Sequence, residues 1–250
     1  MIKKVLVITW LAAVSVAVGL LAFRSIEPSE AAPAPPAWPT SPTFDRITVH
    51  RIDVVEPNGK PRVILSNADK QPGAYFGGKE YPHPGRQRTG GVLFFNDDGT
   101  EAGGVGYGSG IEDGHRTAGA ILTMDQYNQN ETMKLEYEEE DGERGAGLAV
   151  MDDHPDAGLE PVVIANAEML AAKTDADRAK AKAKLDKLIE TNVGKVHKRV
   201  FVGREQDDAV VMLSDKQGTP RIVMQVDAKG EPTIQFFDAA GKPTKTLGAR

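Results

Sequence analysis

The chain reads as a mainly β protein: an antiparallel hairpin and meander sheet, barrel or sandwich, with an inserted helical hairpin and one N-terminal transmembrane helix before it. Three observations predict this. An uncharged apolar run fills Val5–Phe23, an Asx-Gly turn recurs between short β-branched runs, and one stretch near Leu159–Asn192 is rich in Ala, Leu, Glu and Lys.

The run VLVITWLAAVSVAVGLLAF is flanked by Lys3 and Lys4 before it and Arg24 after it. At about 1.5 Å per residue such a helix reaches about 28 Å, close to the hydrocarbon thickness of a bilayer. It exceeds the apolar length of a cleavable secretory signal, and no small-x-small site follows at once, so an uncleaved signal-anchor over 1–24 is expected. The basic amino end favours the cytoplasmic side. The rest of the chain is therefore expected outside the cytosol, periplasmic or at the cell surface, with the membrane as partner through this single pass.

Residues 25–43 form a Pro/Ala-rich linker, with prolines at 28, 33, 35, 36, 39 and 42. Missing backbone donors and extended geometry make such a segment a semi-rigid spacer. Residues 44–250 then form a β-rich extracytoplasmic domain. The chain has no cysteine, which excludes disulfides, zinc-thiolate sites and cysteine nucleophiles and leans toward a bacterial envelope. Its net charge of −6 argues against nucleic acid as a partner.

The turn reads NG at 58–59 and DG at 98–99 and 141–142, then DKQG, DAKG and DAAG ending at Gly218, Gly230 and Gly241. Asp or Asn accepts from the turn backbone, and glycine takes positive φ without a Cβ penalty. Strands are expected at 47–55, 61–67, 91–96, 101–107, 118–124, 132–138 and 145–151. A second group follows at 198–203, 208–214, 220–226, 232–237 and 243–247. The spacing of about forty residues between Gly59, Gly99 and Gly142 also suits a propeller, but each interval holds two or three strands where a blade needs four. Between the groups, Pro161 opens one helix, and Thr174 caps a second that carries an Ala181, Leu185, Leu188, Ile189 stripe and stops at Gly194.

Residues 68–90 lack periodicity and gather Tyr75, Phe76, Tyr81, His83, Arg86 and Arg88 among glycines and prolines. Aromatic rings with guanidinium groups suit a polar ligand, so Tyr75, Tyr81, His83, Arg86 and Arg88 are the candidate ligand-binding residues. Catalytic signatures such as GxSxG, a P-loop or HExxH are absent, the five histidines are scattered singly, and neither a metal nor a cofactor is expected. These features favour a binding or envelope-organising module, with an envelope protein or polar polymer as partner and oligomeric state open. The alternative is a tethered hydrolase acting on a glycan or peptide through the 68–90 loop, with His83 and a nearby carboxylate as acid and base.

Overall fold

A computed structural model describes residues 43–86, 89–152 and 156–248. The expected anchor and almost all of the linker lie outside the described residues, as does Arg88. Among the described residues no helix is long and apolar enough to cross a membrane. The compact unit begins at Thr48.

Among the described residues fourteen strands form. In chain order they are β1 (Arg51–Val55), β2 (Pro61–Ser66), β3 (Ala74–Phe76), β4 (Lys79–Tyr81), β5 (Gly90–Phe95), β6 (Glu101–Glu112) and β7 (His115–Asp125). They continue as β8 (Glu131–Glu140), β9 (Glu143–Asp152), β10 (His197–Glu205), β11 (Asp208–Ser214), β12 (Pro220–Val226), β13 (Pro232–Phe237) and β14 (Pro243–Gly248). Helices α1 (Glu160–Ala171) and α2 (Asp175–Leu188), with a π-helical turn Ile189–Val193, connect β9 to β10. Twelve strands make one antiparallel sheet in the order β1-β2-β5-β6-β7-β8-β9-β10-β11-β12-β13-β14. The ladder is a meander with no crossover, so the two expected groups of strands are one sheet, and the propeller alternative falls.

The turns carry the architecture. In the three C-terminal loops Asp215, Asp227 and Asp238 each accept two backbone N–H bonds through Oδ1, at 2.9–3.1 Å. The glycines that follow sit at φ of 79°, 85° and 74°, where a Cβ would be strained. Short runs of β-branched residues on either side then have no choice but to pair. In the tight β6–β7 and β8–β9 hairpins, Asp113-Gly114 and Asp141-Gly142 both take positive φ, as a two-residue type I′ turn requires.

The expected helical hairpin forms as read. Pro161 lies in the first turn of α1, and Thr174 caps α2 by accepting from the Asp177 N–H at 3.1 Å. Leu185 is its buried contact, whereas Ile189 of the expected stripe is exposed. The hairpin is tied to the sheet through the β7–β8 loop. Gln129 Nε2 donates to the Asn192 carbonyl at 2.7 Å, and Asn192 Nδ2 donates to the Gly158 carbonyl at 2.8 Å.

Register gives the two sheet faces different chemistry. One transverse row takes one residue from each strand: Ile52, Leu65, Val92, Val105, Leu122, Leu135, Leu148, Val202, Val211, Met224, Ile234 and Leu247. Every member is apolar. The adjacent row on the same face runs Val54, Val63, Phe94, Gly103, Met124, Met133, Val150, Val200, Leu213, Ile222, Phe236 and Lys245, apolar or glycine until its last member. We call this the apolar face. On the other face the equivalent row is mixed, running Ser66, Gly91, Gly106, Ile121, Glu136, Gly147, Gly203, Val210, Gln225 and Thr233, and the row beside it carries Ile64 and Leu93 at the strap and Phe201, Met212 and Val223 farther along. There the Phe201 ring covers the missing side chains. A Cβ on Gly147 would stand 2.6 Å from Phe201 Cε2, and one on Gly203 2.8 Å from its Cζ.

Candidate functional site

The segment expected to hold the site, residues 68–90, forms over its described part up to residue 86 a strap laid across the second face of β2, β5 and β6. Asn67 Oδ1 accepts from the Lys70 N–H at 2.9 Å and starts the strap with a 3-10 turn, Ala68–Lys70. β3 and β4 then pair as a short ribbon. At its tip the Gly78 N–H donates to the Gly99 carbonyl at 3.2 Å, and the Gly77 N–H to Thr100 Oγ1 at 3.1 Å.

The ribbon has two buried sides. Tyr75 enters a core cluster with Ile64, Leu93 and Phe95, its ring 5.2 Å from that of Phe95 in an edge-on arrangement. Ala74, Phe76 and Tyr81 form a second cluster with Leu159, against which Val162, Val163 and Ala167 pack. The ribbon is therefore the middle of three layers, between sheet and α1. With both sides covered, alternation of polar and apolar residues is absent.

The candidate ligand residues fall into different roles. Tyr75 and Tyr81 are buried packing residues. The Tyr75 hydroxyl donates to Glu80 Oε2 at 3.0 Å, and burial, reinforced by that carboxylate, raises its pKa. Lys79 Nζ lies 4.9 Å above the Tyr81 ring. Arg86 Nη1 donates to Glu101 Oε2 at 2.9 Å and to the Gly73 carbonyl at 2.8 Å, while its Nη2 completes a two-pronged pair with Glu101 Oε1. The strap is thus latched to β6 by a fork-on-fork ion pair.

Around that latch the structure gathers more ionisable groups than the sequence suggested. Asp125, at the end of β7, has its pKa raised to about 7, chiefly by burial, with the Glu101 and Glu131 charges adding and Arg86 opposing. His83 is held below its usual pKa by burial and then by the Arg86 charge, with Glu101 opposing. His83, Arg86, Glu101, Asp125 and Glu131 therefore form one electrostatic unit. Glu101, Asp125 and Glu131 carry no sequence signal for this, because acidic residues at strand ends read as ordinary hairpin termini. Among the described residues no group of three or more His, Asp or Glu side chains is arranged to hold a metal ion.

A second concavity of about 770 Å³ lies where β6–β9 project past their neighbours. Its lining includes Gly106, Gly108, Gly110 and Gly119 with Glu136, Glu138, Glu140 and Glu205, and Arg144 as its one cation among the described residues. The Glu138 carboxyl titrates above its ordinary range because Glu136 stands beside it. Such a trough repels anions and attracts cationic groups. Comparisons with known proteins place the chain in no established group: no family model and no curated protein matches it.

Proposed function

We propose that the chain is a membrane-anchored, extracytoplasmic β-rich module that binds or organises envelope components and catalyses no reaction. The observation that carries this reading is the sheet itself, a surface twelve strands wide with one continuous apolar face and one mixed face, apolar under the strap and acidic where Glu136 and Glu138 lie. Strap residues rich in binding chemistry are already engaged: Arg86 by Glu101, Tyr75 by Phe95 and Glu80. The anchor reading rests on the Val5–Phe23 run and supplies the compartment. Of the two finer architectures expected, a sandwich suits an uncovered apolar face better than a barrel does.

Fractionation tests this directly. The full chain is expected to stay with membranes through an alkaline carbonate wash, and to be digested by protease only once the outer barrier is opened. Recovery in the cytosolic fraction, protected from external protease, would remove both the compartment and the tethered module.

One observation favours the hydrolase alternative. A carboxyl with its pKa raised to about 7, sharing the Arg86 and Glu101 charges with a His83 whose pKa is lowered by burial, has the protonation behaviour that a general acid needs. Full-length protein assayed on glycans and peptides beside Asp125→Asn and His83→Ala decides it. Turnover lost in both variants, with the fold intact, supports catalysis, and no turnover in the parent supports binding.

A further inference from the structure

We propose that the apolar face is the interface with a second copy of this chain, packed face to face so that two single sheets complete one sandwich. The inference rests on a face that no element among the described residues covers, and not on the anchor or its compartment.

Exposure is the first support. Tyr107 is 63 % exposed, Leu135 53 %, Met124 53 % and Val202 45 %, although all lie in or beside the apolar rows. Monomeric proteins rarely leave contiguous apolar patches larger than about 300–600 Å² in water. Twelve strands spaced about 4.8 Å apart make a band about 55 Å long. Two rows and part of a third make it about 15 Å wide, so each copy offers about 800 Å². Twice that is about 1,600 Å², the size of a stable specific interface.

Charge placement is the second support. The row through Leu135 holds no charged residue, the row through Met133 beside it only Lys245 at the sheet edge, and the row through Tyr137 on its other side only Arg204. The carboxylates of Glu136, Glu138 and Glu140 lie on the opposite face, so packing two acidic chains this way brings no acidic cluster against another. At one end the apolar face is bounded by Glu139, paired with Arg116 at 2.7 Å and with Arg144 at 3.1 Å. An apolar centre with an ion-paired rim is how protein interfaces are built.

Geometry selects the second copy over other occupants. A two-fold interface uses one patch twice, which a self-similar apolar band satisfies without a second complementary surface. Sheets pack with strands within about 30° of each other, so the central strands β8 and β9 make the closest approach. That sets Leu135 and Leu148 near the two-fold axis.

Because the chain has no cysteine, Leu135→Cys gives the full-length protein a single thiol at the predicted axis. Mild oxidation is expected to convert most of it to a disulfide dimer of twice the chain mass. Glu136→Cys, one residue away on the opposite face, is expected to form no disulfide dimer under the same treatment. This contrast separates the face from association through the anchor, which would affect both variants alike. Leu135→Lys is expected to sediment as a monomer with unchanged circular dichroism, and if it does not fold, the cysteine pair alone decides. A wild-type protein that sediments at monomer mass, whether bare or carrying co-purified lipid, overturns the proposal. So does a Leu135→Cys chain that crosslinks only to another protein.

Discussion

The N-terminal strands and the C-terminal strands belong to one sheet but are stabilised in different ways. Over β2 and β5 the strap buries Ile64, Leu93 and Phe95 to 6 % exposure or less. Over β11 to β14 no element lies on either face among the described residues, and all of β14 is exposed. The first region is a conventional core in three layers. The second is a ladder whose order comes from turn chemistry and cross-strand pairs. The contrast teaches that a sheet can keep its register through its turns while leaving a face free for something else.

The largest effect that would sharpen this contrast is truncation under the strap. Tyr75→Ala is expected to cost about 3–5 kcal/mol, because an aromatic side chain leaves a cavity between two layers. Val202→Ala on the open face is expected to cost below about 1 kcal/mol in a chain held monomeric by Leu135→Lys. Urea unfolding measures both, and equal losses would break the comparison.

The next test is pH. Asp125 keeps its proton in the fold up to about pH 7, against an ordinary value near 3.8. Below about pH 4 both states are protonated and the group contributes nothing. As pH rises from there toward 7 the unfolded chain releases its proton first, so stability falls, then levels off above 7. Asp125→Asn removes that slope. It is expected to raise stability above neutral pH by up to about 4 kcal/mol and to leave it nearly unchanged at pH 4. Unfolding curves at several pH values would read the difference, and parallel profiles for parent and variant would refute it.

A smaller effect is expected where Phe201 packs onto the ladder. Gly147→Ala drives a methyl into the Phe201 ring and should cost about 1–3 kcal/mol, seen as a lower unfolding midpoint. The smallest concerns the helical hairpin. Thr174→Ala removes the cap on the Asp177 N–H and should cost about 1 kcal/mol, with faster amide exchange in the first turn of α2.

Most of the fold was legible because its signals are local. Gly218, Gly230 and Gly241 close loops with their own Asp residues, and each flanking strand lies within a few residues of its expected bounds. The helical insertion was legible from Pro161, Thr174 and Gly194. The ribbon was not. Strands of three residues such as Ala74–Phe76, buried on both sides, give neither alternation nor length. The β9–β10 pairing was equally silent, since it joins Gly147 to Gly203 across a helical hairpin. Tyr75 and Tyr81 read as ligand residues because aromatic side chains in a Gly/Pro-rich stretch serve a pocket or a core equally well. The twelve-residue apolar row became visible only once register aligned one position from every strand.

The meander also sets the order of assembly. Apart from the strap and the closure of β9 on β10, every strand finds its partner next to it along the chain, so little entropy is lost in closing each loop. Folding of this all-β body is therefore expected to be fast for its class and to proceed hairpin by hairpin during synthesis, with the β9–β10 closure as its slow step.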